Sequence, residues 1–293
     1  MDADADEVDI CAGSLSRDDH DIAHDRDPYS YRTSVEMPVC GDTIDKVPNK
    51  LAFLQALRSA IRAHRDLYMA GRCIHRDISI NNICYPNNEE NKPNAFGYLI
   101  DFDRSISLER EEPNARKRHL HRTGTLAFQS IASLETQHYI ESKQKEYLNP
   151  PLIHDHLDDL ESFISVFIWV ISTPFGKHQH SGTRSQQGTI RLQELFQDSN
   201  YYASSVKFRM LRNGRVELGS GWRKSAAISG LKDALFAFAG PIVDLKDALR
   251  GKSALSVEEL FKRAPADYQQ VLEAFDTAIE AMQVELGIQP SPV

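Results

Sequence analysis

Leu51, Leu54, Leu57, Ile61, Leu67 and Tyr68 recur at three- and four-residue steps, the period of an amphipathic helix, and the pattern predicts a helix from Asn49 to about Gly71. Upstream, "YRTSVEMPV" (31–39) alternates loosely and stops at Pro38 and Gly41, which reads as one strand and a turn. Downstream, the short apolar runs "NICY" and "FGYLIDF" flank the turn-rich "PNNEENKPNA", a connector suited to a hairpin. A charged stretch follows at 104–122. Helical periodicity returns at 156–171 and is broken by Pro174 and Gly176; "HQHSGTRSQQG" is a loop by composition. Further helical patterns run at about 190–212, 226–249 and 266–285, with no internal repeat. The expected class is α+β, mainly α, with its few strands in the first half.

Composition adds boundaries. A chain of 293 residues with 41% apolar content can bury a real core, most simply as one large domain. Residues 1–28 are acid-rich and poor in large apolar side chains, so they cannot repay the entropy of ordering and read as a tail. Residues 29–285 read as the folded domain and 286–293 as a second tail. The formal charge of −8 argues against a general nucleic-acid binder, which needs surplus Lys and Arg to neutralise phosphates. Cys11, Cys40, Cys73 and Cys84 have neither disulfide-like nor metal-ligand spacing, and no apolar leader is seen. The expectation is of reduced thiols in an intracellular protein, cytoplasmic or nuclear. "FISVFIWVI" (163–171) is about half the roughly 20 residues a membrane span requires and should be a buried helix.

The residues that could do chemistry lie between the first long helix and the hairpin. His75-Arg76-Asp77 is followed after four residues by Asn82, and Asp101 ends the strand in "LIDFD". Phosphoryl transfer from ATP needs a carboxylate to orient the attacking hydroxyl, and oxygen ligands to hold magnesium against the phosphates. Asp77 fits the first task, and Asn82 and Asp101 the second. The tripeptide alone is a weak signal. Its combination with a preceding helix, an Asn at the fixed offset, a hairpin and a strand-end Asp is much stronger.

With "AIRAHRDLYMAGRCIHRDISINNI", "GYLIDFDRS", "RTGTLAFQSIASL" and "HDHLDDLESFISVFIWV", the sequence resembles the fungal-type protein kinases over roughly residues 31–215. That resemblance implies a kinase-like fold represented by its hinge and helical C-lobe, with a short β-hairpin at the cleft, and ATP and Mg²⁺ as cofactors. It implies Asp77 as catalytic base, Arg76 facing the activation segment, Asn82 and Asp101 as magnesium ligands, and His75 as structural. Met37 and Val39, in the hinge-like "MPVCGD", would contact the nucleotide together with Asn82 and Asp101. Thr123 and Thr125 would belong to the activation segment, Thr125 closing the substrate side. Asp159 would be buried at the start of the central helix and bond the catalytic-loop backbone.

Several positions depart from that pattern. Asp103 stands where a glycine is implied, Ser79 where many Ser/Thr kinases carry Lys, and "SIA" (130–132) in place of Ala-Pro-Glu. No glycine-rich loop or strand lysine precedes residue 31. The expectation is therefore of a chain beginning at the last N-lobe strand, with impaired transfer to Ser or Thr of proteins, since positioning and charge stabilisation are most of what a kinase contributes. Two alternatives stand beside it: a non-catalytic, pseudokinase-like protein-binding module, and a small-molecule phosphotransferase, which Asp103 favours and Arg76 disfavours. The partner expected is a protein substrate or other protein, with no nucleic acid and no membrane span. The basic run "ARKRHLHRTGT" (115–125) suits an acidic substrate, a phosphate on Thr123 or Ser105 paired with Arg76, a solvated loop, or an import signal. The paired histidines His119/His121, His154/His156 and His178/His180 lack the further ligands of a zinc set.

Overall fold

A side-chain lock starts the first helix: Asn49 accepts the Ala52 N–H at 2.8 Å and caps α1 (Lys50–Gly71). The computed structural model describes residues 41–86, 97–108, 125–142, 154–173, 175, 199–213, 216–249 and 255–288. Within them, α1 buries Phe53, Leu54, Leu57, Ile61, His64 and Tyr68. Leu67, expected on this stripe, is instead 39% exposed. Six residues beyond Ile61 turn about 240° around a helix axis, which carries Leu67 off the face that His64 and Tyr68 occupy. The helix ends at Arg72, whose left-handed backbone (φ 46°) returns its N–H to the Tyr68 carbonyl.

The strands are short. β1 (Asp42–Thr43), β3 (Ile83–Tyr85) and β4 (Tyr98–Leu99) form an antiparallel sheet in the order β1-β3-β4, with Thr43 opposite Cys84 and Ile83 opposite Leu99. The β3–β4 pair is the hairpin expected from the two apolar runs. A second pair joins β2 (Cys73–Ile74) to β5 (Ile106–Ser107), inside what reads in sequence as the start of a charged stretch. Backbone bonding defines that strand: the Leu108 N–H reaches the Arg72 carbonyl and the Ser107 hydroxyl the Gly71 carbonyl. β4 lies against the N-terminal half of α1, and the β2–β5 pair at its C-terminal end. The strand expected at 31–39, with Met37 and Val39, lies outside the described residues.

The rest is helical: α2 (Ile131–Glu141), α3 (His156–Ser172), α4 (Asn200–Asn213), α5 (Ala226–Leu249) and α6 (Val257–Glu285). Hydrophobic spacing did not announce α2, because its apolar residues form no continuous stripe. It is set instead by Ser130, which caps the Ser133 N–H and donates to Asp158. α6 starts nine residues before the expected 266. The reciprocal Ser256–Glu259 capping box nucleates it upstream of Pro265, which then lies inside the helix. α3 runs through the core with nearly every side chain buried, and α6 packs along both α1 and α5. Phe53 stacks on Phe167 at 6.1 Å and meets the edge of Trp222 at 5.5 Å, joining α1 and α3 to the turn before α5.

Among the described residues, Ala226–Lys246 is the one stretch long and apolar enough to cross a bilayer by length and composition. Here it lies within α5 with Ile228, Leu231, Leu235, Phe238 and Ile242 buried in the core, and its Lys246 ammonium sits 2.6 Å from Asp158.

Gly97, at the entry to β4, is where backbone meets backbone. A Cβ there would lie 2.4 Å from the Ala56 carbonyl oxygen and 2.7 Å from its Cα. Gly97→Ala should therefore push β4 off α1 and lower stability by about 1–3 kcal/mol, read as a shifted urea midpoint with an unchanged denaturant slope.

Candidate active site

Asp159, in the first turn of α3, organises the loop between β2 and β3. Its carboxylate is fully buried and accepts four hydrogen bonds: the His75 N–H at 2.7 Å, the Arg76 N–H at 3.0 Å, His64 Nε2 at 2.8 Å and His154 Nε2 at 3.1 Å. Burial pushes this carboxyl up, but the hydrogen bonds and charges of His154 and His64 outweigh it and hold Asp159 well below the usual carboxylate range. Behind His64, the Tyr268 hydroxyl of α6 hydrogen-bonds Nδ1 at 2.7 Å.

The two amides that Asp159 holds set the loop's path. Arg76 is buried and takes φ 69°, a left-handed backbone uncommon for a side chain of that size. His75 is also buried. Its Nε2 donates to the Ile100 carbonyl at 2.9 Å, and its Nδ1 accepts the Asp77 N–H at 3.3 Å. That pair of bonds requires the neutral ring protonated on Nε2, and burial pulls its pKa below the ordinary value. His75 thereby ties the loop to the strand end that carries Asp101.

Asn82 closes the loop from the other side. Its side-chain amide donates to the Asp77 carbonyl at 2.8 Å, and its own carbonyl accepts the Ile100 N–H at 3.0 Å. With the NH₂ group committed to Asp77, the amide oxygen is the atom left to serve as a ligand. Asp101 is exposed at the end of β4 with φ 64°. Among the described residues, three non-glycine residues have positive φ, and two of them, Arg76 and Asp101, belong to this site. Such backbone costs of order 1–3 kcal/mol and persists where surroundings enforce it.

Asp77 points into the space these residues frame. Its side chain is 13% exposed, and Oδ1 is a buried oxygen with no hydrogen-bond partner among the described residues. Burial pushes its carboxyl above the ordinary value; Arg104 and the Thr125 N–H oppose that shift, while the charge of Asp101 adds to it. Arg104 Nε lies 3.4 Å from Asp77 Oδ2. Asp103 is exposed beside it, in the 3₁₀ turn Phe102–Arg104.

Thr125 opens a firmly anchored segment. The Ile131 N–H donates to Glu161 at 2.8 Å, the Ser130 hydroxyl to Asp158 at 2.6 Å, and Phe128 packs edge-on against Trp169 at 5.7 Å. Lys207 of α4, completely buried, donates to the Gln129 carbonyl and lies 4.0 Å from Glu161. Burial pushes its ammonium down to about 8, against the pull of Glu161.

The structure thus joins His75, Arg76, Asp77, Asn82 and Asp159 in one hydrogen-bonded network, with Asp101 and Thr125 close enough to act on Asp77. Thr123, Met37 and Val39 lie outside the described residues, as do His119, His121, His178 and His180. His154 and His156 are spent on Asp159 and Asp267. Among the described residues, no group of three or more His, Cys, Asp or Glu could hold a metal ion. Sequence reasoning missed His64, Tyr268, Lys207 and Arg104. Only His64 left a trace, as a polar residue spaced onto the buried stripe of α1.

A sequence model described as fungal protein kinase matches residues 19–171, more than half of the chain. No curated protein matches.

Two predictions follow the buried charges. Because Asp159 titrates lower in the folded than in the unfolded chain, it contributes stability above about pH 3.9, the unfolded value, that is lost as pH falls through the folded one. Asp159→Asn should cost about 3 kcal/mol or more at neutral pH and flatten the acid limb of an unfolding free energy measured against pH. Lys207→Met leaves Glu161 buried and unpaired and should cost about 3–5 kcal/mol in urea unfolding, whereas Lys207→Met combined with Glu161→Gln should recover part of that loss.

Proposed function

The chain belongs to the fungal protein kinase family, and from that premise we propose that it transfers a phosphoryl group from ATP to a Ser or Thr hydroxyl of a protein, with Asp77 as base. The observation that carries this reading is the Asp77 carboxylate, whose Oδ1 is buried with no hydrogen-bond partner among the described residues, on a loop fixed by Asp159 and Asn82. A buried carboxylate oxygen without a donor costs free energy unless something arrives to donate to it. A substrate hydroxyl is such a donor. The raised pKa of Asp77 suits a group that must take up that proton.

The donor set also suits the cofactors. Magnesium is held by one or two carboxylates together with substrate phosphates, rather than by an all-protein cage. The Asn82 amide oxygen and the Asp101 carboxylate would hold it there. Bound magnesium supplies charge neutralisation of the phosphates. The chain's own residues do the rest: His75 and Asn82 fix the Asp77 backbone from both sides, and Asp101 is near enough for its charge to act on Asp77.

A protein rather than a small molecule as acceptor is supported by the segment after Thr125. Its Phe128, Gln129, Ser130 and Ile131 are buried and fastened to α3 and α4 by four separate contacts, which anchors the half-buried Thr125 whose N–H acts on Asp77. An extended peptide can meet the backbone at Thr125 with its hydroxyl at the carboxylate, and holding the reactants in that geometry supplies much of the rate.

Purified chain incubated with Mg²⁺, labelled ATP and generic protein substrates should incorporate label into Ser or Thr. Asp77→Asn should lower the rate by about 100-fold or more while leaving the urea midpoint within about 1 kcal/mol, the usual scale for a change away from the packed core. Incorporation no greater than in the Asp77→Asn control would defeat the reading.

A further inference from the structure

Charge balance at the cleft poses a problem. Transfer concentrates negative charge on the phosphoryl oxygens beside two carboxylates, Asp77 and Asp101, and such a step is driven largely by fixed positive groups aimed at those oxygens. Ser79, at the position where the kinase resemblance implies a lysine, cannot supply one. It is neutral and only 2% exposed, and its carbonyl is occupied by the Asn82 N–H.

Arg104 can. It lies three residues beyond Asp101, at the end of the same 3₁₀ turn, and Ser105 closes that turn with its N–H and hydroxyl both on the Phe102 carbonyl. The turn therefore holds the Asp101 carboxylate and the Arg104 guanidinium on one short, closed piece of backbone. Arg104 reaches Asp77 through Nε at 3.4 Å on a side chain that is half exposed. The contact through Nε does not use the planar pair of terminal amino groups, the part of the fork that matches two phosphoryl oxygens.

We propose that Arg104 is the cationic residue of the transfer site, binding the transferring phosphoryl oxygens next to Asp77 in the role that Ser79 leaves vacant. This rests on the phosphotransfer reading above. In the step, the substrate hydroxyl oxygen bonds to the γ-phosphorus as the bond from that phosphorus to the bridging oxygen of ADP breaks. The hydroxyl proton passes to Asp77, and ADP leaves with the bonding electron pair. The attacking oxygen must stand about 3–3.5 Å from the phosphorus, so a guanidinium already in contact with the base is within reach of the oxygens that gain charge.

The test compares the full chain with Arg104→Lys and Arg104→Gln by calorimetric titration with Mg·ATP and, separately, with adenosine, alongside the transfer assay. The proposal expects Arg104→Gln to weaken Mg·ATP binding by about tenfold or more with adenosine affinity unchanged, and to lower transfer further still. Arg104→Lys should retain most of both. Unchanged Mg·ATP affinity in Arg104→Gln overturns the role of Arg104 and leaves the proposed function standing. Tighter binding in that variant also overturns it, showing Arg104 to compete with phosphate for the cleft. Failure of the unmodified chain to bind Mg·ATP removes the nucleotide reading and the role of Arg104 together.

Discussion

One buried carboxylate governs this structure. Asp159 lies where an unpaired charge would be expensive, and its four donors come from α1, the β2–β3 loop and the residue two before α3. Two of those donors are consecutive backbone amides, so satisfying Asp159 fixes the directions of the peptides at His75 and Arg76. The left-handed backbone of Arg76 is upheld by the same bond. A residue that touches nothing in the cleft thereby decides where Asp77 points.

The network also explains why the acidic residues at the start of α3 are tolerated in a core. Asp155 and Asp158 cap the helix reciprocally, and Asp158 is paired with Lys246 and Ser130. Glu161 takes the Ile131 N–H and faces Lys207. Asp155 and Asp158 share Lys246 of α5, and with Asp159 and Glu161 these acids fasten α1, α5, α4 and the Thr125 segment at once. Specificity of packing here comes from polar contacts that hydrophobic burial alone would leave interchangeable.

Sequence legibility follows the same division. The helices with continuous apolar stripes, α1, α3 and α5, can be read directly, as can the hairpin and the spacing of Asp77, Asn82 and Asp101, since these depend on local periodicity and fixed offsets. α2 escapes because a single Ser130 hydroxyl and its tertiary partners define it. α6 is misjudged because Pro265 reads as a break while the capping box upstream of it wins. β5 has only two residues, paired through backbone atoms that side-chain patterns do not report. The partners of Asp159 are illegible for a stronger reason: Tyr268 stands 204 residues from His64, and nothing in one sequence couples positions so far apart. Arg104 likewise looks like an ordinary surface cation until its distance to Asp77 is known.

The long reach of the Tyr268–His64 bond bears on how the protein is made. A ribosome delivers α1 and the β2–β3 loop early and α6 near the end of translation, and domains consolidate in that vectorial order. The nascent chain therefore carries Asp77, Asn82 and Asp101 while the hydroxyl that steadies His64 has yet to emerge. The bond between Tyr268 and His64 can close only when synthesis has passed Tyr268, so this brace of the Asp159 network is added last.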